Sequence, residues 1–325
     1  MLSVLRHELG VPLRRRGWTS GVTRCLASPS SPSPSSTSSS YITRPAITDE
    51  SRDPLDVGVF RPPTDPLALA DAARKHRELA IPLRVPRLPV VLCHGMGGDK
   101  PFLPYFHGIA ADLAAGGVTV YQTRVYKYGD VYQRAAKLKI QLDNILQHSG
   151  ARKVNLITHS MGGLDARQYI THLGGHEHIS SMTSIGTPHR GSCFADFCVS
   201  HLLDGLALGR FLDLLPMETG APRNLIRSFL LDVFNPETPD HPSVHYLSYP
   251  SAARITNPLH PLFLPWQYIR RVEGDNDGLV SVESARWGTV IRTLDLCHAS
   301  QINWTPYDAR ALYRELMGVL YDEGH

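Results

Sequence analysis

The sequence has 325 residues, of which 42% are hydrophobic and 19% are charged, and it contains 25 prolines and 26 glycines. This composition excludes a fibrous or wholly disordered protein and suffices for one large globular domain. No stretch reaches the roughly 18 consecutive apolar residues that a transmembrane helix needs. The formal net charge is +3, and its excess lies near the amino terminus, so the rest of the chain has no basic surface for nucleic acid.

The first 40 residues have the composition of a targeting segment. They are rich in arginine and poor in acidic residues, Leu2, Leu5 and Leu9 recur at helical spacing, and a Ser/Pro-rich tract follows. This pattern is typical of a mitochondrial presequence, whereas a secretory signal needs an uninterrupted apolar core of about 7 to 15 residues. We therefore predict a presequence and low-complexity segment over residues 1–40 and a mitochondrial location. A disordered basic tail is the alternative.

Residues 41–87 are Pro-rich and mixed, which predicts a linker and an amino-terminal arm with one short helix near 67–79. From residue 88, short β-branched segments alternate with longer amphipathic ones. This alternation predicts an α/β fold with a mostly parallel sheet and helices on both of its faces. The predicted strands are 90–93, 118–121, 154–157 and 179–185, and the predicted helices are 103–115, 131–145 and one that begins at Met161.

The alternation stops between 193 and about 265, in a segment rich in Leu, Phe and Pro. We predict a helical insertion there, with helices at 202–215 and 224–234. Its many leucines indicate either a mobile lid or a face packed on the sheet, because the two look alike in sequence.

The regular pattern then resumes up to residue 325. Strands are predicted at 279–282 and 289–294, and a closing helix is predicted to start with Thr305 as its N-cap and Pro306 at its first position. Its predicted buried face comprises Ala309, Leu312, Leu316 and Val319. The predicted catalytic domain thus covers residues 88–325.

Ser160 lies in the segment Thr-His-Ser-Met-Gly-Gly, directly after a predicted strand and at the start of a predicted helix. This is the context of a nucleophile elbow, in which a sharp turn exposes a serine hydroxyl and requires small neighbours such as Gly162 and Gly163. Thr158 stands where the motif usually has glycine, so the motif alone is only moderately specific. An ordinary turn with a capping serine is the alternative.

A serine nucleophile needs a base and an acid that orients the base, in the order serine, acid, histidine for this fold. Asp277 precedes one predicted strand and His298 follows another, so both belong to loops at the sheet edge. We predict Ser160, Asp277 and His298 as the catalytic residues. The rival acids are Asp275 and Asp295, and the rival histidines are His94, His159 and His189.

An oxyanion hole requires two backbone N–H groups directed at the developing alkoxide. One is expected from Met161, which follows the nucleophile, and the other from Met96 in the Gly-rich loop after the first predicted core strand. The alternative, a phosphate-binding loop, lacks a completed glycine pattern. No cofactor is therefore predicted, and the scattered cysteines predict reduced thiols rather than disulfides or metal ligands.

With these motifs the chain resembles the α/β-hydrolase lipases, specifically the bacterial triacylglycerol lipase family and its fungal mitochondrial relatives. The matching segments lie at 90–100, 154–163 and 184–192, and at 276–280 together with 290–292 and His298, and their order and spacing also agree. The resemblance implies an α/β-hydrolase fold and ester hydrolysis on acylglycerols, with Ser160, Asp277 and His298 as the triad and Met96 and Met161 as oxyanion donors.

One departure from the family concerns calcium. Members typically carry an aspartate two residues after the catalytic histidine that helps to bind a structural calcium ion, and this sequence has Ser300 there. Because Ca²⁺ needs several oxygen ligands, preferably charged, we predict no metal site at this position and no calcium requirement.

The first hypothesis is therefore a lipase or esterase that acts on an acylglycerol or other lipid ester and makes transient contact with a lipid surface. A phospholipase, thioesterase or acyltransferase of the same fold is the second, because a triad fixes acyl transfer but not the acyl donor. A catalytically silent lipid-binding scaffold is the third. The oligomeric state is not predicted.

Overall fold

The computed structural model describes residues 57–60, 82–98, 104–204 and 220–325. The predicted presequence, the predicted helix at 67–79 and most of the predicted helix at 202–215 lie outside these residues. Among the helices within the described ranges, none is both long enough and apolar enough to cross a bilayer.

The described residues form a seven-stranded sheet in the order β1-β3-β2-β4-β5-β6-β7. β1 is antiparallel to β3, and all other neighbours are parallel. This arrangement confirms the predicted mostly parallel sheet. The strands are β1 (Gly58–Phe60), β2 (Val90–Cys93), β3 (Val120–Gln122), β4 (Val154–His159), β5 (Ile179–Ile185), β6 (His245–Tyr249) and β7 (Thr289–Val290).

The α-helices connect the strands and flank them. They are α1 (Ile109–Ala115), α2 (Val131–Ser149), α3 (Gly162–His172), α4 (Cys193–Phe197), α5 (Asn235–Glu237), α6 (Phe263–Val272), α7 (Val282–Ala285) and α8 (Arg310–Asp322). Short 3₁₀ segments occur at Gly175–Glu177, Ala221–Leu225 and Ser300–Ile302, and π-helical segments occur at Cys198–Asp204 and Phe229–Phe234.

Both faces of the sheet are buried, and β2 shows how. Val90 and Leu92 belong to one hydrophobic cluster, together with residues of α1 and α8. Val91 and Cys93 belong to a second cluster, together with residues of α2 and α3. Because successive side chains of a strand point to opposite faces, this division confirms that helices cover the sheet on both sides.

Three predicted boundaries were wrong. The predicted insertion over 193–265 contains β6, a strand of the sheet that pairs with β5 and β7. The predicted strand at 279–282 is instead a tight turn followed by α7, whose N-cap Ser281 accepts a hydrogen bond from the Ser284 N–H. The predicted strand at 289–294 is reduced to β7 and one isolated bridge between Leu294 and Ser251.

The predicted start of the closing helix was also wrong. α8 begins at Arg310, and the hydroxyl of Thr305 bonds the Ser300 hydroxyl and the Tyr307 N–H instead of capping a helix. The side chains of Asn303 and Asp308 instead accept the backbone N–H groups of Ala309 and Arg310, which places the helix start at Arg310. The predicted buried face is present at Ala309, Leu312 and Leu316, while Val319 is partly buried.

The segment predicted as a linker and arm over 41–87 also contributes to the sheet. β1 pairs residue by residue with β3, from Gly58 opposite Gln122 to Phe60 opposite Val120. An antiparallel strand at the edge of a parallel sheet is common in large mixed sheets.

Candidate active site

Ser160 follows β4, a strand in the middle of the sheet, and immediately precedes α3. Its φ of 54° is one of three positive values among the described non-glycine residues, and it identifies the strained backbone of a nucleophile elbow. A Cβ on Gly162 would lie 2.7 Å from the Cys93 carbonyl oxygen, so only glycine allows this close approach of helix to strand. Thr158 is accommodated because its hydroxyl donates to the Thr183 carbonyl oxygen at 3.2 Å.

Asp277 and His298 come together at the same edge of the sheet. His298 Nδ1 lies 2.7 Å from Asp277 Oδ2, and the His298 backbone N–H donates to the Asp277 carbonyl oxygen at 2.9 Å. Both residues are buried. This pairing is the relation between base and orienting acid that the sequence predicts.

A turn fixes the Asp277 carboxylate from its other side. Oδ1 accepts the backbone N–H groups of Leu279 at 2.9 Å and Val280 at 2.8 Å. The preceding residue, Asn276, accepts the Gly278 N–H and pairs with Ser281 in an isolated bridge. These contacts leave Oδ2 directed at the imidazole of His298, and they also explain why no strand forms over 279–282.

Gln301, which sequence reasoning missed, extends this arrangement. Its Nε2 donates to Asp277 Oδ2 at 3.0 Å, and its Oε1 accepts from His159 Nε2 at 3.0 Å. Because Nε2 of His159 then carries the proton, its Nδ1 accepts from the Tyr105 hydroxyl at 2.8 Å. Tyr105, His159 and Gln301 thus form a hydrogen-bonded chain that ends on the carboxylate.

His159 connects this series of hydrogen bonds to the predicted nucleophile, because it directly precedes Ser160 and its ring centroid lies 4.5 Å from that of His298. Burial, assisted by the neighbouring His298, lowers the pKa of His159 well below its usual value of 6.5. The ring is therefore neutral, as its acceptor role toward Tyr105 requires. Among the described residues Ser160 makes no side-chain hydrogen bond, and in ligand-free enzymes the contact between nucleophile and base is often long.

The rival residues have other partners. His94 Nε2 accepts from the Val125 N–H at 3.1 Å. His189 lies 3.0 Å from the Ser184 hydroxyl and stacks on an indole ring. Asp275 forms an exposed ion pair with Arg270, and Asp295 is exposed.

The predicted oxyanion donors occupy two loops at this edge. Met161 follows Ser160, and Met96 lies in the loop after β2. Within the described part of the chain, neither backbone N–H donates a hydrogen bond, so both are available to a ligand oxygen. The two loops are adjacent, because a Cβ on Gly95 would lie 2.7 Å from Ser160 Cβ.

A buried ion pair, also missed from the sequence, supports the loop that carries Met96. Arg134 of α2 and Asp165 of α3 are both almost inaccessible, and Arg134 Nη2 lies 2.7 Å from Asp165 Oδ2. The same guanidinium donates to the carbonyl oxygens of His94, at 2.9 Å, and of Tyr126. The ion pair thereby joins the two helices to the start of the loop.

The predictions on thiol and calcium chemistry rest on the described cysteines and on Ser300. Cys93, Cys193, Cys198 and Cys297 are free thiols, and burial raises the pKa of Cys93 to about 12. The Ser300 hydroxyl bonds Thr305 Oγ1 and Cys297 Sγ at 2.9 and 3.0 Å. The predicted independence from calcium stays a prediction.

A strained serine after a central strand and a paired aspartate and histidine at the same sheet edge define an α/β-hydrolase of the serine ester hydrolase class. Comparisons with known proteins agree. The chain is 32% identical to a triacylglycerol lipase of Vibrio cholerae in an alignment 251 residues long, which covers 67% of this chain and 80% of that protein. The chain belongs to the triacylglycerol lipase family, which confirms the resemblance inferred from the motifs.

A second relative is triacylglycerol lipase 2 of Saccharomyces cerevisiae, with 34% identity over 62% of this chain. The match covers 63% of the yeast protein, so the chain spans less than two thirds of its length. Residues 89–220 match the family model for palmitoyl protein thioesterase.

Solved structures confirm the fold. The mature form of a lipase of Bacillus licheniformis superposes with a TM-score of 0.63 at 25% identity, over 83% of this chain and 99% of that chain. A metagenomic carboxyl esterase gives a TM-score of 0.61 at 19% identity, over 73% of this chain and 76% of that chain.

Proposed function

We propose that this chain hydrolyses carboxylic esters of acylglycerols through an acyl-enzyme formed on Ser160. The observation that carries the proposal is the 2.7 Å contact between His298 Nδ1 and Asp277 Oδ2 at the edge of the sheet where Ser160 has its strained φ. The names of the yeast and Vibrio relatives support triacylglycerol as the substrate class.

In the proposed mechanism, His298 Nε2 accepts the Ser160 proton while Ser160 Oγ attacks the ester carbonyl carbon. Asp277 holds the Nδ1 proton and stabilises the imidazolium. The N–H groups of Met96 and Met161 bind the oxyanion, a contribution of roughly 3 to 4 kcal/mol per donor to the barrier. His298 then protonates the departing alcohol, and water repeats the sequence on the acyl-enzyme.

A thioesterase is the second candidate, because of the match of residues 89–220 to palmitoyl protein thioesterase. The triad chemistry is the same, since a thioester carbonyl is attacked in the same way and a thiolate departs. The two candidates differ in the pocket that selects the leaving group.

We further propose that the chain contacts a lipid surface through α6. Leu264, Tyr268 and Val272 recur every fourth residue on this helix and are 73%, 37% and 50% exposed. The spacing puts them on one face of the helix, and Leu259, just before it, is 90% exposed. An apolar stripe next to basic residues such as Arg271 is typical of interfacial helices.

This stripe lies close to the proposed site. The Asn276 side chain donates to the Trp266 carbonyl oxygen at 3.2 Å, which ties α6 to the turn that carries Asp277. A lipid surface contacted by α6 is therefore near the proposed acyl-transfer centre.

Mitochondrial import is also a proposal, supported by the composition of residues 1–40. A tagged full-length chain should enter mitochondria and lose its amino-terminal segment. A cytosolic, uncleaved product would contradict it.

Two measurements test the enzymatic proposal. A fluorophosphonate probe should label the wild type and should fail to label Ser160→Ala, whose turnover should fall roughly 10⁶-fold. A wild type that is not labelled would favour the silent scaffold.

A panel of purified lipids then separates the substrate classes. Faster release of fatty acid from triacylglycerol and diacylglycerol than from phospholipid or acyl thioester supports the lipase. A preference for the thioester supports the second candidate, and transfer to an added alcohol in place of water would indicate an acyltransferase.

A further inference from the structure

Three side chains outside the proposed active site direct donor atoms at one point. His245 begins β6, and Glu323 and His325 follow the end of α8. His245 Nδ1 lies 3.0 Å from Glu323 Oε2 and 3.2 Å from His325 Nε2, and His325 Nε2 lies 3.8 Å from Glu323 Oε2. These are two imidazole nitrogens and one carboxylate oxygen, contributed by two distant parts of the sequence.

The distances between the three donor atoms match those between the ligand atoms of a tetrahedral zinc site. Bonds of about 2.0 to 2.1 Å at tetrahedral angles put neighbouring ligand atoms about 3.3 Å apart. The three observed separations bracket this value. A metal centre between the three atoms therefore requires only small side-chain adjustments.

The donor set also selects the type of ion. Two histidines and one glutamate with an open fourth position form a recurrent zinc set, whereas Ca²⁺ and Mg²⁺ prefer six or more ligands, mainly oxygens. His245 and Glu323 side chains are 41% and 32% exposed, so an ion and a completing water have access.

A contact with Ser180 orients the ring of His325 so that one nitrogen can bind a metal ion. Ser180 Oγ of β5 lies 2.9 Å from His325 Nδ1, which leaves Nε2 for a metal. Metal-bound histidines almost always use their second nitrogen in such a contact. The His325 carbonyl oxygen also accepts the Arg87 N–H at 2.8 Å, which fixes the backbone beside the cluster.

We propose that His245, Glu323 and His325 bind one zinc-class divalent cation that fastens the end of α8 to the sheet. β6 is parallel to β4 through β5, so the start of β6 lies at the edge opposite Ser160. The bound ion therefore stabilises the fold and takes no part in ester hydrolysis.

The test measures Zn²⁺ binding to chelator-treated protein without a polyhistidine tag, by equilibrium dialysis and metal analysis. The wild type should bind one Zn²⁺ per chain and unfold at a higher temperature with Zn²⁺ than without it. Glu323→Gln should bind at least 10-fold more weakly, and Ser180→Ala, which keeps all three ligands, should also lose about 10-fold or more.

His148→Gln, which removes an exposed histidine on α2, is the matched control and should bind like the wild type. Turnover of a soluble ester should be the same for Glu323→Gln and the wild type, so this test is independent of the proposed function. Absence of a bound Zn²⁺ in the wild type, or equal affinity in Glu323→Gln, would overturn the proposal.

Discussion

Gln301 donates a hydrogen bond to the same carboxylate oxygen of Asp277 that faces His298. Gln301 is fully buried and 24 residues from Asp277 in the sequence. The proposed catalytic acid therefore has both oxygens occupied, one by the amides of its own turn and the other by Gln301 and the imidazole. Gln301 therefore helps to fix the carboxylate oxygen that faces His298.

Gln301→Met keeps the volume of the side chain and removes both hydrogen bonds. Each is worth about 0.5 to 1.5 kcal/mol, so we expect kcat on a soluble ester to fall about threefold to tenfold with little change in KM. Steady-state kinetics measure the effect.

Gln141→Met is the matched control, because Gln141 is equally buried and bonds the backbone N–H and carbonyl of Arg124. Gln141→Met should lower the free energy of unfolding by about as much as Gln301→Met does, and it should leave kcat near the wild-type value. An equal loss of kcat in both variants would show that Gln301 acts only through stability.

Gly95→Ala should abolish most activity. Its Cβ would lie 2.7 Å from Ser160 Cβ and 2.8 Å from the Tyr105 hydroxyl, closer than such atoms approach, so the loop or the elbow must move. Displacing an oxyanion donor costs about 100-fold to 1,000-fold in kcat, and we expect a loss of that order.

Gly318→Ala is the control for the same substitution. Nothing lies within 4 Å of a Cβ there, and the residue is inside α8. It should raise the free energy of unfolding by up to about 1 kcal/mol and leave kcat unchanged. A wild-type rate in Gly95→Ala would contradict the placement of the loop against Ser160.

Asp165→Asn should destabilise the protein by about 3 to 5 kcal/mol, because it leaves the buried positive charge of Arg134 without a negative charge beside it. Urea unfolding followed by circular dichroism measures this. The double variant Arg134→Met with Asp165→Leu, which removes both charges, should recover a substantial part of the loss. A double variant no more stable than the single one would argue against the uncompensated charge as the cause.

The free energy of unfolding should fall as the pH is lowered from about 7 to 5. Burial lowers the pKa values of His159 and His189 well below 6.5, so in this range the unfolded chain takes up protons that the folded chain does not. Below pH 6.5 the slope is about 1.4 kcal/mol per pH unit for each such histidine. Below about pH 6 it is partly offset, because burial raises the pKa of Asp165 to about 6 and the folded chain takes up a proton there. Urea unfolding at each pH measures it.

His189→Gln keeps a hydrogen-bond donor for Ser184 and cannot titrate. The change of its unfolding free energy with pH should be smaller than that of the wild type by about 1.4 kcal/mol per pH unit, which corresponds to one proton. Equal pH dependence of the unfolding free energy in His189→Gln and the wild type would show that the ring of His189 takes up a proton in the folded state.

Leu264→Ser should weaken binding to phosphatidylcholine vesicles about tenfold, because burying a leucine side chain in an apolar phase is worth about 1.5 to 3 kcal/mol. Sedimentation with vesicles measures it, and hydrolysis of a soluble ester should not change. Ile140→Ser is the control, because Ile140 is an exposed apolar residue (47%) on a different helix, α2. Equal losses in the two variants would exclude α6 as the contact surface.

The sequence predicts well where local and periodic signals agree. β5 has the predicted bounds, and α2 begins at the predicted residue, Val131. The strand before Ser160, the small residues after it and the order of Asp277 and His298 carry the site, because they depend on short motifs.

The sequence does not predict the structure where contacts with residues far away in the chain determine the local conformation. β6 was missed because its five residues lie in a Leu/Pro-rich segment and are extended through pairing with β5. Residues 279–282 do not form a strand because the Asp277 carboxylate takes the N–H groups of Leu279 and Val280. Gln301 and His159, which contact each other, are 142 positions apart in the sequence, so no local pattern predicts the contact.

β1 protects one edge of the sheet. Gly58–Phe60 covers the outer edge of β3, and without it the unpaired peptide groups of β3 could pair with another chain. A variant truncated beyond Phe60 should therefore be prone to edge-to-edge aggregation, whereas a variant that keeps Gly58–Phe60 should not.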